Sequence, residues 1–243
     1  MFLFYYINNK MNRWKFYEEN LKKFVSKDSS ILIIGGSERE FDLYKKLNYQ
    51  NFTISNLNPN IEKKNYEVIH VDATNIDFKN NSFDYVITHA CIHHMRKPHL
   101  AILEMYRVSK IGILIIEGND SLLMRISGKL NMSEDFEVGS VDKIKNLGGV
   151  EESGIPNYVY RWNEREIYKT LSSYEPEIQH KILFSYENDL ENPGIQRGIE
   201  KRISIKVLKI FIKFFFTIFK KQQNLLSIYI DKKNSQKRKF KNF

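Results

Sequence analysis

Alternating apolar and polar segments between residues 31 and 117 repeat one unit: a buried strand, a turn and an amphipathic helix. The first unit opens with the aliphatic run 31–34, which is typical of a strand covered on both faces in a parallel sheet. Gly35 and Gly36 then permit a tight turn. Similar apolar runs predict further strands at residues 51–57, 66–71, 83–89 and 111–117, with a helix at 98–108.

Two later apolar runs, at residues 177–186 and 225–230, complete a set of seven predicted strands. Strands that alternate with helices indicate βαβ units, so the predicted fold class is α/β. We expect a doubly wound, mostly parallel, seven-stranded Rossmann-like sheet with helices on both faces.

The predicted elements divide the chain into one α/β domain and two short terminal segments. Residues 1–30 form an N-terminal helical segment, residues 31–230 form the domain, and residues 231–243 form a basic tail that we expect to be disordered. Within the domain, the glycine-containing stretch 131–162 is long and irregular, which is typical of a lid or substrate loop. An apolar helix with basic residues is predicted at 203–220, before the last strand.

Positive charge is concentrated near the C-terminal end of the sequence. Residues 201–243 contain thirteen Lys or Arg residues and one acidic residue, so this segment carries +12 while the whole chain carries +9. The rest of the chain is therefore slightly acidic, which argues against a nucleic-acid partner for the α/β domain. The single cysteine, Cys91, excludes an internal disulfide and fits a reducing, cytoplasmic compartment.

The helix predicted at 203–220 has an unusually wide apolar face. Lys206, Lys209, Lys213 and Lys220 share one narrow stripe, and most other positions are apolar. Such a helix either packs on the sheet beside the last strand or lies in a membrane interface, where the basic tail would be attracted to anionic lipid. The sequence therefore allows peripheral contact with the inner face of a membrane, although no apolar run is long enough to span a bilayer.

Ligands of doubly wound sheets bind beyond the carboxyl ends of the strands, and the sequence places polar residues there. After the first strand, Gly35, Gly36 and Ser37 lack the glycine spacing of a dinucleotide fingerprint. This turn either holds a small uncharged part of a ligand or is only a tight connection. After the second strand, Asn56 and Asn58 either bind ribose hydroxyls or belong to a polar turn.

Asp72 and Ala73 end the third predicted strand. A carboxylate at this position can accept a hydrogen bond from an exocyclic amine, and the next backbone N–H can donate to a ring nitrogen. Together the two groups would recognise the edge of an adenine. The alternative is an aspartate that only stabilises a turn.

The end of the fourth strand is crowded with four residues that can carry chemistry: His89, Cys91, His93 and His94. Their density suggests zinc, but the sequence offers no second Cys or His cluster at ligand spacing, so no metal site is predicted. An imidazole that acts as a general base toward a substrate is the functional alternative, because its pKa suits proton transfer near neutral pH. Otherwise His93 and His94 only begin the next helical turn.

Read together, residues 31–117 resemble the class I S-adenosylmethionine (SAM)-dependent methyltransferases, in the branch related to the quinone-biosynthesis enzymes. The positions that carry the resemblance are the first glycine motif, the adenine motif and the later strands and helix, at residues 31–36, 71–73, 78, 82–87, 93–94, 98, 103–108 and 112–117. In addition, residues 157–162 resemble a subgroup that is associated with bacterial surface-polysaccharide gene clusters.

The resemblance implies that the chain binds SAM and transfers its methyl group to a small-molecule acceptor. The positions that it implies for the cofactor are Gly35, Gly36, Ser37, Asn56, Asn58, Asp72, Ala73 and His89. It also implies that His93 or His94 is a catalytic base or contacts the acceptor. Further acceptor contacts are implied for Glu117, Tyr158, Tyr160 and Arg161.

The subgroup resemblance implies O-methylation of a sugar or a lipid-linked glycan in cell-surface polysaccharide biosynthesis. The sequence departs from the family pattern at Ile33, Ser37, Arg39 and Asn56, where acids or glycines are usual. These departures would weaken contacts with the methionine end or the ribose of SAM. A second hypothesis is therefore a methyltransferase fold with little or no activity that serves as a membrane-associated binding or scaffold protein.

Overall fold

The computed structural model describes residues 11–58, 66–142, 147–189 and 214–240. Within these ranges the strands are β1 (Ile31–Ile34), β2 (Phe52–Asn56), β3 (Val68–His70), β4 (Phe83–His89), β5 (Ser109–Gly118), β6 (Val141–Asp142), β7 (Leu147–Gly148), β8 (Ile178–Glu187) and β9 (Leu225–Lys237). The longer helices are α1 (Met11–Phe24), α2 (Glu38–Lys46), α3 (Pro98–Val108), α4 (Leu122–Lys129) and α5 (Glu164–Tyr174). The strand predicted at 83–89 and the helix predicted at 98–108 have the bounds that are observed.

One large sheet contains seven of these strands in the order β3-β2-β1-β4-β5-β9-β8. The strands from β1 to β5 are parallel. In contrast, β9 runs antiparallel to β5 and to β8, and it separates these two strands. The expected α/β class, with a doubly wound and mostly parallel seven-stranded sheet, is confirmed. The strands β6 and β7 form a separate short hairpin.

Helices cover both faces of the sheet. Alternate residues of each central strand point to opposite sides, so the apolar strands present apolar side chains to the helices on both faces. Leu32 and Ile34 of β1 belong to the core that includes α3 and α5. Their neighbours Ile31 and Ile33 belong to the opposite core, which includes α1 and α2. The all-aliphatic run in β1 therefore reports burial on both faces, as its composition predicts.

The sequence also predicts a helix at 119–130, and the observed helix α4 is shorter. Asn119 forms a bridge with Trp162, which continues the pairing at the end of β5. Helix α4 begins only after Ser121, whose hydroxyl accepts a hydrogen bond from the backbone N–H of Met124. The predicted start was wrong because Asn119 and Asp120 take part in strand-like pairing with the chain near Trp162.

The basic tail was predicted to be disordered from residue 231, and this prediction is wrong for residues 231–237. Strand β9 continues to Lys237, which pairs with Ile178 at the start of β8. The carboxylate of Asp231 is buried and lies 2.9 Å from the Nζ atom of Lys181. In addition, Nζ of Lys232 donates to the backbone carbonyl of Tyr106 at 2.8 Å, at the end of α3. The basic residues therefore find acceptors in the fold that composition alone does not reveal.

The apolar helix predicted at 203–220 lies largely outside the described residues, which resume at residue 214. Residues 214–218 are helical, and Lys220 belongs to a following short 3-10 turn. Phe216 is buried, but Phe214 and Ile218 are 65% and 61% exposed. Among the described helices, none combines the length and the apolar character needed to cross a membrane.

Candidate functional site

Parallel pairing brings the predicted site residues to one edge of the sheet. The strands from β1 to β5 run in the same direction, so their carboxyl ends lie side by side. Gly35 follows β1, Asn56 ends β2, Asp72 follows β3, and His89 ends β4. Glu117 lies near the end of β5. The sequence therefore correctly predicted that these residues share an edge.

The glycine turn after β1 is closely packed against the segment after β4. Gly35 has a φ of +66°, and a Cβ atom at this position would lie 2.1 Å from the Sγ atom of Cys91. Only glycine fits both the backbone conformation and the space. Ser37 precedes α2, and its backbone N–H donates to the Glu40 carboxylate at 2.9 Å. The hydroxyl of Ser37 also donates to Glu40, so this side chain is held by the helix that it opens.

The ends of β2 and β3 carry the residues predicted to bind the nucleoside. Oδ1 of Asn56 accepts a hydrogen bond from the backbone N–H of Asn58 at 3.2 Å. Oδ1 of Asp72 accepts from the backbone N–H and the hydroxyl of Thr74, both at 2.8 Å. Asp72 is exposed while Ala73 is buried. Among the described residues, Oδ2 of Asp72 has no hydrogen-bond partner, so one carboxylate oxygen remains open to a ligand.

His89 lies beneath helix α1. Its ring stacks on Tyr17 with a centroid distance of 4.7 Å and meets the edge of Trp14 at 4.6 Å. Nδ1 of His89 lies 3.1 Å from Oε1 of the buried Glu40. Burial would raise the pKa of Glu40, but the hydrogen bonds from His89 and Ser37 keep that pKa below its ordinary value. His89 thus joins α1 and α2 to the end of β4, and its contact with a cofactor stays a prediction.

Glu117 organises the segment that follows β4. One carboxylate oxygen accepts hydrogen bonds from the backbone N–H groups of Cys91 and Ile92, both at 2.9 Å. The other oxygen accepts from Nδ1 of His93 at 2.7 Å. Burial opposes the charged form of Glu117, but the His93 ring holds the pKa of this carboxyl below its ordinary value. Glu117 therefore positions His93, and its contact with an acceptor stays a prediction.

Glu137 meets the two histidines from the loop side. Its Oε2 atom lies 3.7 Å from Nε2 of His93 and 3.6 Å from Nε2 of His94. The His93 ring lowers the pKa of Glu137 to about 2. Burial disfavours the His93 imidazolium, but the carboxylates of Glu117 and Glu137 outweigh it and raise the pKa of His93 to about 10. Burial and the charge of His93 lower the pKa of His94.

These pKa values separate the two histidines that the sequence offered as bases. A general base must be unprotonated at working pH, and the carboxylates beside His93 favour its protonated form. The role of His93 as a base stays a prediction, and these contacts argue against it. Burial and the charge of His93 favour the neutral form of His94, and 31% of the His94 side chain is exposed.

The residues predicted to line the acceptor are mostly held by the protein itself. Tyr158 is exposed and contacts only the Phe136 ring among its aromatic neighbours in the described residues. The hydroxyl of Tyr160 donates to Glu166 at 2.7 Å. Arg161 donates to the backbone carbonyl of Glu134 at 2.7 Å. Tyr160 and Arg161 therefore secure the loop, whereas Tyr158 is accessible; acceptor contacts by all three stay predictions.

The described parts of the stretch 131–162, predicted to be a lid or substrate loop, contact the segment after β4 through Gly149, Glu151 and Asn157. Asn157 is buried, and its Nδ2 atom lies 3.5 Å from the backbone carbonyl of His93. At the outer side, Arg96 donates to Glu151 at 3.0 Å. The sequence did not assign Asn157 or Glu137 to the site: Asn157 entered only as part of the 157–162 resemblance, Glu137 belongs to no motif, and both reach the site from an irregular loop. No local signal links them to the histidines.

Comparison with known proteins agrees with this architecture. A family model described as a methyltransferase domain matches residues 43–116. No curated protein matches the sequence. A SAM-dependent methyltransferase from Archaeoglobus fulgidus has a similar structure, with a TM-score of 0.53 and 14% identity over 94% of this chain and 99% of that chain. A candidate methyltransferase from Bacillus halodurans C-125 has a TM-score of 0.51 and 13% identity over 88% of this chain and 98% of that chain. The chain therefore has the Rossmann-like fold of these methyltransferases.

Proposed function

We propose that this protein is a SAM-dependent methyltransferase that acts on a small-molecule acceptor. The proposal rests on the carboxylate of Asp72, which follows β3. One of its oxygens accepts hydrogen bonds from Thr74, and the other has no hydrogen-bond partner among the described residues. An open carboxylate at this edge of the sheet can accept a hydrogen bond from the adenine amine of SAM. The methyltransferase-domain match at residues 43–116 and the fold support the same reaction.

Methyl transfer requires that the methyl donor and the acceptor are aligned, and it needs no covalent bond between either reactant and the protein. Bound SAM would supply the methyl group: the bond between the methyl carbon and the sulfur would break as the bond to the acceptor oxygen forms, and the hydroxyl proton would pass to a base, a role that we assign to His94. A protein promotes this displacement by holding the two reactants in line and by excluding water. In this chain the described parts of the loop 131–162 lie against the segment after β4, which suits that exclusion. His93 and His94 lie beneath this loop, on the side that we assign to the acceptor.

We further propose that the acceptor is a sugar or a lipid-linked glycan that is methylated on oxygen during cell-surface polysaccharide synthesis. The likeness of residues 157–162 to a polysaccharide-associated subgroup supports this class. Tyr158, within the loop 131–162, has an exposed aromatic ring, which suits stacking against a sugar ring. The competing function is a binding or scaffold protein that keeps the fold without turnover.

Calorimetric titration of SAM into the protein tests the cofactor. We choose Asp72→Asn because the introduced amide oxygen can still accept from Thr74, as Oδ1 does now. The amide NH₂ then replaces the open oxygen and cannot accept from adenine. Loss of a hydrogen bond to a charged group costs about 1.5–3 kcal/mol, so Kd should rise about ten- to 150-fold. Asp77→Asn, at an exposed aspartate of the same loop, is the matched control.

Two results of the titration would contradict the cofactor assignment: no heat from the unaltered protein, or equal SAM affinity in the Asp72→Asn variant. A second measurement then separates an enzyme from a scaffold. We would follow the formation of S-adenosylhomocysteine with sugar nucleotides and lipid-linked sugars as acceptors. His94→Ala should lower turnover while SAM affinity stays nearly unchanged. SAM binding without turnover on any such acceptor would favour the scaffold.

We also propose that this protein is cytoplasmic and makes peripheral contact with the inner face of a membrane. Phe214 and Ile218 are exposed and precede the exposed Lys220 and Lys221, a combination that suits an anionic lipid surface. Co-sedimentation with anionic vesicles tests this proposal. Binding should weaken with added salt and with Phe214→Glu, while Phe216→Leu, at a buried position, should bind like the unaltered protein. A protein that stays in the supernatant at low salt would refute membrane contact.

A further inference from the structure

We propose that His93, His94 and Glu137 form a binding site for one divalent transition-metal ion, most suitably Zn²⁺. The three ligand atoms all lie within 4.8 Å of one another in the described part of the chain. Two imidazole nitrogens and one carboxylate oxygen are a ligand set that zinc uses in open, three-residue sites. The site is independent of the cofactor residues at the ends of β2 and β3.

The spacing of the ligand atoms is close to what an ion would impose. A tetrahedral zinc with bonds of about 2.0–2.1 Å separates its ligand atoms by about 3.3–3.4 Å. In the structure, Oε2 of Glu137 lies 3.7 Å from Nε2 of His93 and 3.6 Å from Nε2 of His94. The rings of the two histidines are neighbours, with centroids 4.5 Å apart. The two separations between histidine and glutamate therefore exceed the tetrahedral spacing by a few tenths of an ångström, and all three ligand atoms stay within 4.8 Å of one another.

The surroundings orient the two rings as metal sites require. A ligating histidine commonly donates its second ring N–H to a carboxylate or a backbone carbonyl, which fixes the ring and its tautomer. Nδ1 of His93 donates to Glu117 at 2.7 Å, and Nδ1 of His94 lies 3.4 Å from the carbonyl of Gly149. Both Nε2 atoms are thereby directed toward Glu137. The side chain of Asn157 lies 3.4 Å from the same Glu137 oxygen and helps to hold it.

The type and the accessibility of the ligands indicate which ion binds and how. Imidazole nitrogen favours zinc and its neighbours over magnesium and calcium, which prefer oxygen. The His93 side chain is 7% exposed, whereas the Glu137 side chain is 35% exposed. One side of the site is therefore open to solvent. An ion held by three protein groups would keep a fourth position for water or for an oxygen of another molecule.

The competing explanation is an ion pair in which protonated His93 bridges Glu117 and Glu137 and no metal binds. The two explanations make opposite predictions for the purified protein after treatment with a chelator. A metal site takes up one equivalent of added ion through His94 and Glu137. An ion pair takes up none at these residues.

The test is titration of the chelator-treated full chain with Zn²⁺ by calorimetry and with Co²⁺ by visible absorption, both without SAM. We expect one ion per chain and the absorption bands of four-coordinate Co²⁺. Glu137→Gln keeps the size of the side chain and removes the charged ligand, and His94→Ala removes one imidazole. Each should raise Kd by at least about tenfold. His70→Ala, at an exposed histidine on β3, is the matched control and should leave Kd unchanged.

Glu117→Gln tests the positioning of His93 separately. It should raise Kd by about ten- to 100-fold and leave the stoichiometry at one ion, as for other residues that orient a ligand. Far-UV circular dichroism verifies that each variant is folded. If the buried substitution Glu117→Gln unfolds the chain, Glu137→Gln still tests the site, because the side chain of Glu137 is partly exposed. No uptake of Zn²⁺, or equal Kd in Glu137→Gln, His94→Ala and the unaltered protein, would overturn the site. Because SAM is absent, such a failure leaves the methyltransferase proposal untouched.

Discussion

Glu117 on β5 accepts a 2.7 Å hydrogen bond from Nδ1 of His93, which follows β4. Both side chains are buried, and the same carboxylate also caps the backbone N–H groups of Cys91 and Ile92. One acidic residue therefore fixes both the backbone and the side chain of the segment between β4 and α3. The sequence offers Glu117 and His93 as alternative contacts of the acceptor and does not predict their contact with each other.

Glu117→Gln should strongly destabilise the metal-free protein. Removal of one charged partner from a buried pair leaves the other charge uncompensated, so the free energy of unfolding should fall by about 3–5 kcal/mol. Urea denaturation of chelator-treated protein measures this loss. Glu19→Gln, on an exposed part of α1 beside Lys15, should change stability by no more than about 1 kcal/mol. Equal stability of the two variants would contradict the buried pair.

Gly35→Ala should destabilise the turn after β1. The backbone φ of +66° disfavours any residue with a Cβ atom, and that atom would overlap the Sγ atom of Cys91. We expect a loss of at least about 1–3 kcal/mol in the free energy of unfolding, from strain alone. Gly139→Ala is the control, because no atom lies within 4 Å of its added Cβ. Similar thermal midpoints for both variants would show that the turn can relax.

Asp231→Ala should destabilise the end of the sheet. The carboxylate accepts from Nζ of Lys181 and from the backbone and side-chain N–H groups of Asn234, so its removal leaves donors without an acceptor. The expected loss is about 1–3 kcal/mol in the free energy of unfolding. Lys233→Ala, at an exposed position of the same strand, should stay within about 0.5 kcal/mol of the unaltered protein. Fast amide exchange throughout 231–237 would instead restore the prediction of a disordered tail.

His180 should make stability depend on pH in the mildly acidic range. Burial lowers the pKa of His180. The hydrogen bond of its Nε2 with the carbonyl of Leu171 (3.1 Å) and the charge of Glu175 raise this pKa, whereas the charge of Arg238 lowers it, and the net shift is downward. The unfolded chain therefore binds the proton more tightly than the folded chain. The free energy of unfolding should fall as pH decreases below the ordinary histidine pKa of about 6.5.

His180→Gln isolates this contribution, because the glutamine amide can still donate to Leu171 and does not titrate. Its free energy of unfolding should vary less between about pH 5 and 6.5 than that of the unaltered protein. His70→Gln, on the exposed β3 residue, should keep the original pH dependence. Identical pH profiles for His180→Gln and the unaltered protein would mean that the buried ring does not change its protonation on folding.

The sequence predicted those elements whose signals are local. The aliphatic residues of β1 and β4 and the proline that opens α3 determine their structure within a few neighbours, and these elements were found. The same holds for α5: the pattern at residues 163–166 predicts a capping box, and Asn163 caps the helix by accepting from the backbone N–H of Glu166. Where a residue's partner is close in the chain, composition and spacing are enough.

The candidate site was only partly predictable because its contacts join distant segments. The alignment of Gly35, Asp72 and Glu117 at one edge follows from parallel pairing and was foreseen. The approach of Glu137 to His93 depends on how an irregular loop folds back over the sheet, and no periodicity encodes that path. The metal hypothesis was set aside on sequence grounds for the lack of a second Cys or His cluster. In the metal site that we propose, Glu137 supplies the third ligand, beside His93 and His94.

The position of β9 between β5 and β8 has a consequence for biosynthesis on the ribosome. Translation produces β9 after both of its neighbours, so neither can complete its hydrogen bonding until residues 225–237 have emerged. Helix α1 also makes a contact that depends on this strand. The hydroxyl of Ser227 in β9 donates a hydrogen bond to the side-chain oxygen of Asn20, 207 positions earlier in the sequence. Nascent chains that end before β9 would therefore expose two unpaired strand edges, which are prone to aggregate. The large sheet can therefore close only after β9 has left the ribosome.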